Sequence, residues 1–348
     1  MGHLGLIFIF AAPGTLLVLV LAGALYQRAG RASDVRRFLP PGRLLDIGNT
    51  KLHIFTLGEG FPPVVFEAGI AATSLSWQLV QPEIAKSAQT VSYDRAGLGW
   101  SDTSPNERII WDVAKELRTV LHRADIRQPR ILIAHSYGAL VTIAYALRYR
   151  SEIAGMVLVD PVSASEWSNP SESHWKTLRR GILLSRRGAS LARIGLVRMA
   201  LGLLAAGSHR LPKVIARASS GGGAAVTDQI VGQVRKLPSE VWPLIQSHWS
   251  DPKSFESMAR YLTALPQSAA KVAKELEATD AFRDLPLIVL SAGNANATQR
   301  AEHEALANAS ALGRLEIVPD SGHWIQVDRP DVVIQACLEM ITRIARRS

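Results

Sequence analysis

The most informative stretch of the chain is Ile131-Leu132-Ile133-Ala134-His135-Ser136-Tyr137-Gly138. An apolar run of strand character leads into x-x-Ser-x-Gly, and a helical pattern follows over Tyr137–Tyr149. A serine on a sharp strand-to-helix turn holds its hydroxyl clear of the backbone, and the turn admits only small residues two positions to either side. Ala134 and Gly138 meet that demand. A serine hydroxyl is a weak nucleophile until a base takes its proton. His323 follows a predicted strand on a Ser-Gly loop that can reach across the carboxyl edge of a sheet, which makes it the candidate base. His53, His122, His174 and His303 lack that setting and read as core or surface residues. His135, beside the serine, points elsewhere on the turn and reads as structural support.

These residues need a scaffold, and the hydrophobic pattern supplies one. Strands are predicted at Lys51–Leu57, Pro63–Glu67, Thr90–Tyr93, Arg130–Ala134, Gly155–Val159, Leu285–Leu290 and Leu315–Val318. Helical patterns over Ser74–Lys86, Ile109–Ala124, Tyr137–Tyr149, Thr298–Ala309 and Asp331–Arg346 alternate with them. Continuous Val/Ile/Leu strands alternating with helices imply an α/β fold, a mostly parallel sheet covered on both faces. The alternation stops over 162–281, which is read as an inserted helical cap; the core is then 44–161 and 282–348. This cap carries 16 Lys and Arg against 9 Asp and Glu, seven of the chain's nine net positive charges. Within it Arg179, Arg186 and Arg193 recur at seven-residue spacing, on one helix face beside leucines and isoleucines, with Gly181, Gly188 and Gly195 at the same interval. Each glycine should weaken a helix by about 1 kcal/mol relative to Ala, and Gly221–Gly223 reads as a flexible break.

Composition excludes several classes. With 348 residues, 47% of them hydrophobic, the chain has material for a large core and is not intrinsically disordered. Cys337 is its single cysteine, which excludes a disulfide framework, and no His/Cys set has zinc spacing. Residues 4–26 hold no charged side chain and as a helix would span roughly 34 Å, enough for one transmembrane anchor. A cleaved signal peptide is the rival, with Ala22-Gly23-Ala24 as its small-x-small pattern. The run is long for that, and no Lys or Arg precedes it. Residues 27–43 read as a linker ending in Pro40-Pro41-Gly42. Arg28, Arg31, Arg36 and Arg37 follow the apolar run, so the positive-inside rule favours a cytoplasmic catalytic domain on a single-pass anchor. The basic cap beside such an anchor suggests anionic lipid headgroups as a partner. Nucleic acid is disfavoured, because the basic stretch has almost no aromatic residues for stacking.

Four blocks in order give the chain a family resemblance: Phe66–Trp77, Tyr93–Asp102, the serine turn, and Asp320–Val333. Together they resemble the α/β-hydrolases, in particular the serine-hydrolase branch with small-molecule esterases. The likeness covers about Leu44–Val162 and Leu285–Arg346, with Ala134 standing where the family's first glycine is usual. The resemblance implies Ser136 as nucleophile, His323 as base, and an oxyanion hole from the N–H groups of Tyr137 and Ile70. Asp94, Arg95, Gly97 and Gly99 are expected to build a tight turn rather than to perform chemistry. The family usually places its acid beyond the strand Leu287–Leu290, where this chain has Asn296. Asp160, which ends the strand Gly155–Val159, is the preferred acid, because some family members carry theirs there. Asn296 stays as the alternative, and Glu302 and Glu304 lie further off. The expectation is a hydrolase acting without metal or cofactor on a small carboxylic ester with an apolar, lipid-derived body. Relatives that open epoxides or displace halides use a carboxylate nucleophile where this chain has Ser136. The alternatives are an acyltransferase using the same residues, or a ligand-binding relative with a disabled site.

Overall fold

A computed structural model describes residues 3–206 and 232–346, the first ten of them by backbone alone. Its strands are β1 (Arg43–Asp46), β2 (Lys51–Leu57), β3 (Val64–Glu67), β4 (Thr90–Tyr93), β5 (Arg130–His135), β6 (Ile153–Val159), β7 (Leu287–Ala292) and β8 (Gly313–Val318). They form one sheet in the order β1-β2-β4-β3-β5-β6-β7-β8. β2 runs antiparallel to both β1 and β4, and every other pairing is parallel. The chain leaves β3 for β4 on one side and then crosses to β5 on the other. The carboxyl ends of β3 and β5 therefore open onto a shared crevice where the strand order reverses, the place open α/β sheets use for ligands.

The helices among the described residues are α1 (His3–Arg37), α2 (Gln81–Ile84), α3 (Ile110–Arg123), α4 (Tyr137–Arg148), α5 (Ala164–Ser168), α6 (Glu172–Arg193), α7 (Leu196–Ala205), α8 (Trp242–Ser250), α9 (Pro252–Glu277), α10 (Ala297–Asn308), α11 (Ile325–Asp328) and α12 (Pro330–Ala345). Every residue of β3, β5 and β7 is buried, as expected of strands covered on both faces. Successive side chains of β5 serve opposite layers. Leu132 and Ala134 pack with Leu117, Leu121 and Leu140 of α3 and α4, whereas Ile131 and Ile133 pack with Ile84 of α2 and Val333 and Cys337 of α12.

Two expectations about local structure change. The helix foreseen over Ser74–Lys86 is a 3₁₀ turn at Ser74–Trp77 followed separately by α2, because Pro82 lies in the first turn of α2 and has no N–H to continue an earlier helix. In the cap, α6 runs unbroken through Gly181 and Gly188. A Cβ at Gly188 would lie 2.5 Å from the Phe255 ring and one at Gly181 3.3 Å from Leu262, so these glycines let α6 approach α9. Gly195 (φ +75°) turns the chain through 89° from α6 into α7. Arg179, Arg186 and Arg193 are exposed on α6, and Arg193 meets Glu256 of α9 at 2.8 Å. Gly221–Gly223 lies outside the described residues.

Helix α1 continues past Tyr26 to Arg37, and its second half packs on the cap. Gln27, almost fully buried, donates to the Ser250 carbonyl (2.8 Å) and accepts from Arg198 Nε (2.9 Å). Arg198 also pairs with Asp34 (2.7 Å), and Arg31 pairs with Asp251 (3.2 Å). Gly23 sits against the Ile194 backbone and would leave no room for a side chain. Among the described residues no single helix is long and apolar enough to cross a membrane; the bent pair α6–α7 passes on length and composition alone.

Candidate active site

Ser136 lies between β5 and α4 in a conformation that L-residues rarely adopt, φ 54° and ψ −121°. Its N–H donates to the Val159 carbonyl (3.1 Å), and its own carbonyl accepts from Val162 and Ala139. These bonds tie the turn to the end of β6. Gly138 is required by proximity: a Cβ there would lie 2.7 Å from the Ala68 carbonyl oxygen and 2.8 Å from Glu67 Cγ. Ala134 is fully buried and is accommodated where a glycine is usual.

The residues expected to work with Ser136 meet it. His323 Nε2 lies 2.9 Å from Ser136 Oγ, and His323 Nδ1 lies 2.6 Å from Asp160 Oδ2. The other carboxylate oxygen of Asp160 accepts the Ala292 N–H (2.9 Å), while the Asp160 N–H donates to the Leu290 carbonyl (2.7 Å). Asp160 is thus held between the ends of the neighbouring strands β6 and β7. Burial works to raise its pKa, but the hydrogen bond and charge of His323 and the Ala292 N–H outweigh this and hold it below the usual carboxylate range. An ionised Asp160 fixes the proton of His323 on Nδ1. The bare Nε2 then faces the serine hydroxyl, which donates to it.

Asn296 does not join this chain. It caps α10, accepting from Gln299 N (2.9 Å), while Gln299 Oε1 accepts the Asn296 N–H (3.1 Å). Glu302 accepts from Ser163 and Ser165 instead, and Glu304 is exposed on α10. His303 is buried, donating through Nε2 to the Pro161 carbonyl (2.9 Å) and accepting from Ser291 at Nδ1 (2.8 Å). His135 donates from Nε2 to the His323 carbonyl (2.8 Å) and steadies the histidine loop. Burial and the neighbouring His323 push its pKa down to about 3, so it stays neutral.

The loop after β3 approaches the serine from the other side. A Cβ on Gly69 would stand 2.9 Å from His135 Nδ1 and 3.7 Å from Ser136 Cβ. Arg95, which sequence reasoning left in a structural turn, braces this loop: it donates to the carbonyls of Ala68 (2.6 Å), Gly69 and Ile70 (3.1 Å) and pairs with buried Glu67. In a trans peptide the C=O and the following N–H point opposite ways. Holding the Gly69 oxygen therefore turns the Ile70 N–H away from Arg95. Nothing near Arg95 in the sequence announces the brace, since its partners lie some 25 residues upstream. The other members of its turn are structural: Asp94 accepts from Ser74 N (2.8 Å), Trp100 N (3.1 Å) and His53 Nδ1 (2.9 Å).

Ser136 and His323 open onto a cavity of about 310 Å³ whose walls include Ile70, Leu75, Leu237, Ile245, Trp249 and Trp324. Among the described residues no Asp, Glu, Lys or Arg lines it, and no cluster of three or more His, Cys, Asp or Glu is placed to hold a metal.

This architecture agrees with comparisons to known proteins. A family model described as the alpha/beta hydrolase fold matches residues 62–330, running through the cap, and the chain belongs to that family. It is 37% identical over 129 residues to the uncharacterised protein YqjL of Bacillus subtilis, a match covering 36% of this chain and 51% of that one. The chain spans about half the length of the curated relatives it matches first. Among solved structures, a putative epoxide hydrolase from Pseudomonas aeruginosa superposes with a TM-score of 0.66 at 18% identity, covering 87% of this chain and 96% of that one. A thermophilic esterase from Thermogutta terrifontis superposes with a TM-score of 0.59 at 18% identity, covering 85% and 94%.

Proposed function

We propose that this protein is a serine hydrolase that cleaves a carboxylic ester through an acyl-enzyme. The observation that carries the reading is the unbroken chain Asp160 Oδ2–His323–Ser136 Oγ at 2.6 and 2.9 Å, beside an uncharged cavity. Ser136 Oγ attacks the ester carbonyl as His323 Nε2 takes its proton. The N–H groups of Tyr137 and Ile70 receive the oxyanion, and His323 returns the proton to the departing alcohol. Water, deprotonated by the same histidine, releases the acid. Asp160 orients His323 and stabilises its cation. Fluorophosphonate labelling tests this. Wild type should label at Ser136 and Ser136→Ala should not; absence of label in a folded wild type would end the proposal.

The cavity walls favour an apolar ester body, such as a lipid-derived acyl chain. We also infer that α1 anchors the chain to a membrane with the catalytic domain on the cytoplasmic side, and that exposed arginines of α6 meet anionic headgroups. Support comes from Leu16, Leu17, Val18, Leu19, Leu21 and Leu25, all more than half exposed on α1, and from Arg28, Arg36 and Arg37 beyond them. The full chain should stay with membranes through alkaline extraction; its release into the wash would refute the anchor.

A further inference from the structure

The wall of the catalytic cavity is mostly apolar, yet it contains buried polar atoms without a partner. Gln326, 1% exposed, has neither its amide oxygen nor its amide nitrogen hydrogen-bonded. His248, 8% exposed, leaves Nδ1 unpartnered. Gln233 Oε1 and His135 Nδ1 are unpartnered too, the latter bare because the proton of that ring is on Nε2. A buried polar group left unmade costs about 1–3 kcal/mol, and native proteins tolerate few of them without a bound partner. Four such side chains around one cavity, next to a serine–histidine pair, mark a place where something polar belongs.

The chemistry of that group follows from the donors and acceptors. The amide of Gln326 offers one acceptor and one NH₂ donor side by side. Burial pushes His248 down to about 4, so its ring is neutral and also offers one donor and one acceptor. No charged side chain lines the cavity among the described residues to neutralise an ion. The complementary group is uncharged and both donates and accepts, as a hydroxyl or a secondary amide does. Gln326 sits on α11 in the core, three residues beyond His323, and His248 on α8 in the cap, so the two reach the cavity from either side of the seam between core and cap.

We propose that Gln326, with His248, recognises an uncharged hydroxyl or amide group carried on the apolar body of the ester, so that the natural substrate is a hydroxy- or amido-substituted ester rather than a plain alkyl one. The proposal rests on the serine-hydrolase reading above and deepens it. Its test is a panel of p-nitrophenyl esters of equal chain length. One member is all carbon, and the others carry a single hydroxyl or secondary amide at successive positions.

Wild type should turn over at least one substituted ester with kcat/KM about tenfold above the all-carbon chain, and in Gln326→Leu and Gln326→Met that ratio should fall towards one. A wild type that prefers the all-carbon chain against every substituted member overturns the proposal, as does a ratio that survives both variants. Labelling of Ser136 by a small fluorophosphonate shows that each variant is folded. Failure of both variants to label would make Gln326 part of the fold rather than of recognition, and would also overturn it. Failure of the wild type to label would instead remove the hydrolase reading, and this proposal with it.

Discussion

Replacing Asp160 by Asn keeps the shape of the side chain while inverting what it asks of His323. Asp160 Oδ1 now accepts the Ala292 N–H at 2.9 Å, and Oδ2 accepts from His323 Nδ1 at 2.6 Å. The Ala292 N–H can be satisfied only by an acceptor, so the amide oxygen of Asn takes that place and its NH₂ turns to His323. The imidazole must then receive at Nδ1 and carry its proton on Nε2, where it can no longer take the proton of Ser136. Such inversion of a catalytic histidine costs on the order of 10⁴-fold in kcat. At 1.36 kcal/mol per decade this is about 5 kcal/mol of transition-state stabilisation. Because both hydrogen bonds of residue 160 survive, the melting temperature should move by no more than a few degrees. The assay pairs kcat/KM for a p-nitrophenyl ester with the rate of fluorophosphonate labelling. A companion Asn296→Ala variant should lose about 1 kcal/mol of stability, as helix caps do, with catalysis intact. If Asp160→Asn kept more than about a tenth of the activity while Asn296→Ala lost most of it, the assignment of the acid would be wrong.

Three further expectations follow from the same geometry. Gly69→Ala places a methyl group against His135 Nδ1 and Ser136, shifting the Ile70 N–H; kcat should fall about 10²- to 10³-fold, the loss typical of one oxyanion donor, with KM little changed in steady-state kinetics. Arg95→Met leaves the carboxyl of Glu67, already raised by burial, without its buried partner, and should cost about 3–5 kcal/mol in chemical denaturation; Arg95→Met with Glu67→Gln should recover part of that loss. Burial works to raise the pKa of Asp94, but His53, His248 and the Ser74 N–H outweigh it and bring the carboxyl down from 3.8 to about 2. A folded pKa below the unfolded one stabilises above the unfolded value and is lost as pH falls, so the stability gap between wild type and Asp94→Asn should narrow by about 2 kcal/mol between pH 5 and pH 2. A constant gap would show that Asp94 gains nothing from its charge.

What the sequence disclosed was whatever is local. Ser136 stood out because strand, small residues and helix adjoin it along the chain, and His323 because its loop follows a strand. Asp160 needed one topological step, that the ends of β6 and β7 are neighbours, and its pairing in the sheet supplies that step. The role of Asn296 was visible in principle, since Gln299 three residues later completes a capping pattern. Pro82 likewise foretold the break before α2. Other features were illegible because they join distant segments. Arg95 braces carbonyls of another loop, Gly188 gives way to an aromatic ring on α9, and Gln27 reaches a carbonyl 223 residues away. The glycines of α6 read as weak points of a helix because the helix they admit was out of sight.

The grip of α1 on the cap has a mechanical meaning. Helix α8 carries Ile245, His248 and Trp249 in the cavity wall and ends at Ser250, whose carbonyl is the one held by Gln27. Arg31 pairs with the next residue, Asp251, and Asp34 pairs with Arg198 on α7. The cap is therefore not a free flap hinged only on the sheet. The first helix holds the helix that lines one side of the cavity, so the position of that wall depends on contacts of Gln27, Arg31 and Asp34 as well as on the sheet.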